Sequence, residues 1–183
     1  DANETAVAWR TILEKSDRPA GIVLSRQNLP VWAREDVHAD AEGEKFASAE
    51  GTARGGYIMA DTEGTPDVIL IATGSEVELA VQARATLAEQ GIAARVVSMP
   101  SREWFAEQSE EYRESVLPSS VAARVSVEAG LGMSWYDLLG SAGRAVSIEH
   151  FGASADAKTL YREFGITPEA VVTAAEESIA SVK

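Results

Sequence analysis

Residues 67–99, DVILIATGSEVELAVQARATLAEQGIAARVVSM, hold the pattern from which the fold follows. Asp67 to Ala72 is a compact apolar run stopped by Thr73-Gly74, which reads as a buried strand. Ser75 is placed to open a helix as its N-cap, with Glu78 completing a capping box, and Gly91 to close it. Leu79, Ala83 and Leu87 recur at helical spacing and mark the stripe expected to face a core. Ile92 to Met99 is a second apolar strand. Consecutive strands of this kind, bridged by an amphipathic helix, imply a parallel pairing covered on both faces.

Downstream the alternation continues. Ser101 to Gln108 and Ser109 to Leu117 read as two short helical stretches, and Val121 to Val127 and Arg144 to Ile148 as strands. Thr167-Pro168-Glu169 starts a last helix, with Pro168 at its first position and Val172, Ala175 and Ile179 on one face. Upstream, Tyr57 to Ala60 is strand-like. The fold class is therefore α/β, a three-layer domain whose mostly parallel sheet has about five strands. Between Ala33 and Arg54 the composition turns to Glu, Asp, Ala, Gly and Ser without durable periodicity, and Gly55-Gly56 closes the stretch. We read residues 31–54 as an interdomain linker, because so long a loop inside a compact domain is unusual. Ahead of it, Asp1 to Ser16 opens with an Asp-x-x-Glu cap and carries Ala6, Trp9 and Leu13 at helical spacing, and Ala20 to Leu24 reads as a buried strand. One helix and one strand cannot cover both their faces, so residues 1–30 are expected to belong to a larger domain.

The composition excludes several functions. Across 183 residues, 29 acidic against 16 basic side chains give a formal charge of -13, which repels phosphate backbones and anionic lipid surfaces. Nucleic-acid and membrane partners are not expected. Without cysteine there is neither a disulfide nor a thiolate metal site, which permits a reducing, cytoplasmic setting. His38 and His150 stand far apart and in no ligand spacing, so both read as ordinary surface or packing residues and no metal is expected on this chain. No apolar run nears the roughly 18 residues of a membrane helix, and no signal segment opens the chain. A start at Asp1 without methionine fits a processed terminus or an excised fragment.

Four motifs invite chemistry. Gly130-Leu131-Gly132-Met133-Ser134-Trp135 follows a strand as a dinucleotide loop does, but Trp135 stands where close helix packing requires glycine, so a plain turn is expected. Gly152-Ala153-Ser154-Ala155-Asp156 lacks the closing glycine of a nucleophile elbow. Thr73-Gly74-Ser75-Glu76 lies where helix N-termini attract anions, yet Glu76 and Glu78 would repel a phosphate, which leaves a capped helix. Ser25-Arg26-Gln27-Asn28 ends the first strand before Leu29-Pro30. Arg26 there can grip a phosphate through two parallel charge-assisted hydrogen bonds, although spacing alone also permits an ordinary polar turn.

In order and in spacing, seven segments resemble the end of a transketolase. They are Leu24-Ser25-Arg26-Gln27-Asn28-Leu29-Pro30, Gly55-Gly56-Tyr57, Ile71-Ala72-Thr73-Gly74-Ser75-Glu76-Val77, Val97-Ser98-Met99-Pro100-Ser101, Glu114-Ser115-Val116-Leu117-Pro118, Val127-Glu128-Ala129-Gly130 and Phe151-Gly152-Ala153-Ser154-Ala155. Each is weak alone, and the ordered set is specific. The resemblance covers essentially the whole chain and implies the end of a pyrimidine-binding domain in residues 1–30, a linker in 31–54 and a complete C-terminal domain in 55–183, with Tyr57 to Ala60 antiparallel to the other strands. It implies thiamine diphosphate and Mg²⁺ as cofactors of the full-length enzyme, none bound to this portion, and a two-carbon ketol transfer from a ketose phosphate to an aldose phosphate by a cytoplasmic homodimer. Sugar phosphates would be the substrates, and Arg26 matches the family's contact to the substrate phosphate. No Gly-Asp-Gly motif occurs, so this portion alone is expected to be inactive and no catalytic or cofactor-binding residue is assigned in it. Asp156, where many relatives have proline, and His150, where small polar residues are common, leave the family intact and the substrate preference open. The alternatives are the last domain of a sister enzyme, a deoxyxylulose-phosphate synthase or the β subunit of a 2-oxo acid dehydrogenase, or a non-catalytic dimerisation or ligand-binding module.

Overall fold

The computed structural model describes residues 1–37 and 43–182. At its centre is β2 (Val68–Ala72), whose five residues are all fully buried. A strand covered on both faces has to be apolar throughout, and this one is. It pairs in parallel with β3 (Ala94–Ser98) on one side and with β4 (Arg124–Val127) on the other, and β4 carries β5 (Arg144–Val146) in parallel. β1 (Tyr57–Ala60) runs antiparallel along β3, completing the order β1-β3-β2-β4-β5. The five-stranded, mostly parallel sheet with one antiparallel strand is as expected.

Two helical layers bury the sheet. Leu70, Val96 and Val125 point to α2 (Val77–Glu89) and α7 (Pro168–Val182), meeting Ala80, Ala83, Leu87, Val171 and Ala175. Ile69, Ile71 and Val97 point the other way, to Phe105 of α3 (Arg102–Ala106), Val116 of α4 (Glu110–Val116) and Leu139 of α5 (Tyr136–Leu139), together with Trp135. Each fully buried aliphatic side chain adds about 1.5–3 kcal/mol, so this strand is the energetic axis of the domain. The chain enters it through Gly55, whose φ of +85° suits glycine, and a Cβ there would lie 2.3 Å from the Phe105 nitrogen and the Ser101 oxygen.

Several elements depart from expectation. The Ser75 capping box does not form: Gly74–Glu76 is a 3₁₀ turn, α2 begins at Val77, and the Ser75 hydroxyl is engaged by Glu76 and Tyr161. The capping box of α1 (Ala2–Glu14) does form, between Asp1 and Glu4, but its inward face is Glu4, Val7 and Thr11. Trp9 and Leu13 of the expected apolar stripe are exposed, Leu13 by 74%. A buried polar network decides that orientation. Glu4 accepts from the Tyr57 hydroxyl (2.9 Å) and Ser98 Oγ (2.5 Å), and Arg34 donates to Tyr57, to the Ala47 carbonyl and to Asp1 Oδ2.

Ala20 to Leu24 forms no strand, and Val23 is 98% exposed. A strand needs a neighbour to accept its ladder hydrogen bonds, and no described strand lies beside these residues. The stretch read as a linker is not bare coil over its described part. Arg34 bridges to Phe46, Trp32 packs edge-on against the Phe46 ring, and Ala49–Arg54 is a 3₁₀ helix capped by Ser48. Two short helices went unforeseen, α5 and α6 (Ala157–Glu163), the latter capped by Asp156. Among the described residues no helix is long and apolar enough to cross a membrane.

Candidate functional site

Parallel sheets bring the carboxyl ends of their strands to one edge, where helix N-termini and loops converge. At that edge β2 leads into Thr73-Gly74-Ser75-Glu76 and β4 into Glu128-Ala129. Glu76 is 5% exposed, and its carboxyl group is fully engaged. Oε1 accepts from the Ala129 backbone N–H (3.2 Å) and the Tyr161 hydroxyl (2.8 Å), and Oε2 from Ser75 Oγ (3.2 Å). The Tyr161 and Ser75 hydroxyls are themselves 2.7 Å apart. Burial pushes the Tyr161 pKa up, and the neighbouring Glu76 adds to the shift, so Tyr161 stays protonated as a donor. Glu128 lies beside this group, its pKa pushed up to about 7 by burial and then by Glu76, with a Trp135 hydrogen bond opposing the rise.

Residues 25–30 cross this edge as an irregular segment. A Cβ at Gly74, where φ is +56°, would lie 3.7 Å from Ser25 Oγ. Leu29 and Pro30 line, with Gly74, Ser75 and Val77, a gap of about 10 Å³, close to the size of one water molecule. Arg26 is exposed and has no hydrogen-bond or ion-pair partner among the described residues. Most other arginines are engaged, as Arg84, Arg95, Arg124 and Arg144 are with backbone carbonyls. A guanidinium in this state is available to an anionic ligand.

The other motifs resolve into structure. Gly130 to Trp135 is a turn in which the Gly132 N–H donates to Glu149 Oε1 (2.9 Å) and the Trp135 ring fills the core under α5. Gly152 to Ala155 is exposed coil. His150 stacks edge-on with Phe164, and His38 lies outside the described residues. Among the described residues no three His, Asp or Glu side chains gather to hold a cation. Sequence reading missed Tyr161, Glu76 as an acceptor, and Glu128. The Asp156-x-x-Thr159 cap, in which Asp156 accepts from the Thr159 N–H (3.0 Å), was the local signal that could have placed a helix under Tyr161.

Residues 55–167 match the family described as the transketolase-like C-terminal domain. The chain is 55% identical over 183 residues to a transketolase of Mycobacterium leprae, covering 97% of this chain and 24% of that protein. It is 54% identical over 186 residues to a transketolase of Mycobacterium tuberculosis, covering 98% and 25%. Among solved structures, a transketolase of Pichia stipitis in complex with sedoheptulose 7-phosphate superposes with a TM-score of 0.81 at 37% identity, covering 98% of this chain and 24% of that one. The chain thus spans about a quarter of the length of the relatives that it matches.

Proposed function

The chain belongs to the transketolase family through its C-terminal domain, and from that membership we propose that it closes a longer enzyme that transfers a two-carbon ketol unit from a ketose phosphate to an aldose phosphate. In this reading residues 1–30 end a pyrimidine-binding domain, 31–54 connect, and 55–183 are the C-terminal domain of a cytoplasmic homodimer. Thiamine diphosphate and its Mg²⁺ would be cofactors of the complete enzyme, and among the described residues no three His, Asp or Glu side chains gather as ligands for the cation. In this reading the contribution of this chain is to bind and orient substrate.

The observation that carries the reading is Arg26, an exposed guanidinium with no partner among the described residues, on a segment whose Leu29 and Pro30 lie beside Gly74 and Ser75 at the carboxyl edge of the sheet. The Pichia stipitis relative solved with a ketose phosphate supports the choice of ligand. Two parallel N–H donors match two oxygens of a phosphate dianion, and such a charge-assisted contact is worth about 1.5–3 kcal/mol. A phosphate remote from the reacting carbons is held about equally in ground and transition states, so its loss falls mainly on KM.

The test is Arg26→Ala in the complete protein, with a phosphorylated aldose compared against a short unphosphorylated aldehyde as acceptor. We expect a loss of about 10- to 100-fold in kcat/KM for the phosphorylated acceptor and none for the other. An equal loss on both would make Arg26 a support of the local fold.

A further inference from the structure

We propose that the outer edge of β5 is a contact between two copies of this protein: β5 of one copy pairs antiparallel with β5 of the other across a two-fold axis, and the two sheets become one. The inference rests on the homodimer in the reading above and names a surface that builds it.

In the sheet order β5 comes last, with β4 on one side and no described strand on the other. Towards β4, the Val146 carbonyl accepts from the Glu128 N–H (3.0 Å) and the Ile148 N–H donates to the Gly130 carbonyl (2.8 Å). Alternate residues of a strand address opposite neighbours. The peptide groups of Ala145 and Ser147 therefore face outward, where no described residue is bonded to them. The opposite edge of the sheet is covered, since the Ala47 N–H donates to the Met59 carbonyl of β1 (3.0 Å).

An open edge is normally blunted by an inward charge, a proline or a bulge. Arg144, the one charged residue of β5, is instead turned back onto Ala142, Gly143 and Ser181. Apolar side chains gather at the carboxyl end of the edge. Gly132 packs so closely there that a Cβ would lie 2.8 Å from Ser147 Oγ and 3.0 Å from Glu149 Oε1. Its neighbours Leu131 and Met133 are exposed, as is Tyr136 at the start of α5, and Phe151 is 98% exposed. These four side chains leave on the order of 600 Å² of apolar surface open, as much as the largest patch on a typical monomer. A two-fold axis doubles that to about 1,200 Å², which reaches the range of a stable interface. The axis also suits the backbone, because an isologous contact sets the same groups against each other. With the axis at Val146, Ala145 of one copy exchanges N–H and C=O with Ser147 of the other, so every outward peptide group of the two residues is paired.

The test uses the complete protein. In this register the two copies of residue 147 are diagonal neighbours about 7–8 Å apart, so Ser147→Cys treated with a bismaleimide of that span should give a covalent dimer that wild type does not. Adding Phe151→Asp, a change at an exposed side chain, should abolish the covalent dimer. Hydrogen exchange on the unsubstituted protein covers the case in which Ser147→Cys folds poorly, since the Ala145 and Ser147 amides should be protected as paired strand amides are. A protein that sediments as a dimer, with these amides exchanging freely and no covalent dimer formed, would overturn the inference and leave the homodimer standing. Protected amides in a well-folded Ser147→Cys variant that yields no covalent dimer would overturn it in favour of cover from another part of the same chain. A protein that sediments as a monomer would overturn the homodimer, and the inference with it.

Discussion

Glu128 sits one residue past β4, and burial together with the neighbouring Glu76 raises its pKa to about 7. An unperturbed glutamate titrates at about 4.3, so between those values the folded protein holds a proton that the unfolded chain has released. Its favourable contribution is therefore complete below about pH 4.3 and is lost as pH rises through about 7. We expect the melting temperature to fall from pH 5 to pH 8, with Glu128→Gln removing part of that fall. Identical pH dependence in wild type and variant, measured by thermal melts, would contradict the assignment. Partial exposure keeps the effect modest. Neither Glu128 nor Tyr161 was legible in the sequence as part of a site, because each acquires its role from a partner far along the chain, Tyr161 from Ser75 across 86 positions. Arg26 could be proposed from the sequence because its whole neighbourhood, Ser25 to Pro30, is contiguous and resembles a known segment.

Strands and the helices between them were legible because β2, β3 and α2 combine unbroken apolar runs with helical spacing, bounded by Thr73-Gly74 and Gly91. What failed were patterns that a distant partner can override. The apolar stripe of α1 lost to a buried acid: Glu4 is held by Tyr57 and Ser98, and turning Trp9 and Leu13 inward would expose that network and leave its groups unpaired. The 20–24 run has strand composition and no strand to pair with. Anchorage of the amino-terminal residues is therefore uneven, with α1 docked and the coil after it exposed. Limited proteolysis of this chain should cut first between residues 15 and 28, where regular structure is absent, and later in the 49–54 turn, which packs under α1. First cleavage within 49–54, with 15–28 intact, would show that α1 does not hold that segment. Removing its buried partner by Glu4→Ala should loosen α1 and bring the 49–54 cleavage forward.

The described residues form one five-stranded sheet between two helical layers, with α1 and residues 25–30 beside it, and the chain corresponds to about a quarter of each relative's length. Apolar surface at Trp9, Leu13, Val23 and Leu24 remains exposed, which suits a segment completed by other parts of a longer protein. Ketol transfer is thus a claim about the complete protein. The direct measurement supplies that protein with thiamine diphosphate, Mg²⁺, a ketose phosphate labelled in its first two carbons and an unlabelled aldose phosphate, and follows the label. The account predicts a new ketose phosphate two carbons longer than the acceptor and carrying the label, with none formed when the cofactor is withheld. Label that never reaches the acceptor, in a folded protein with cofactor bound, would contradict it.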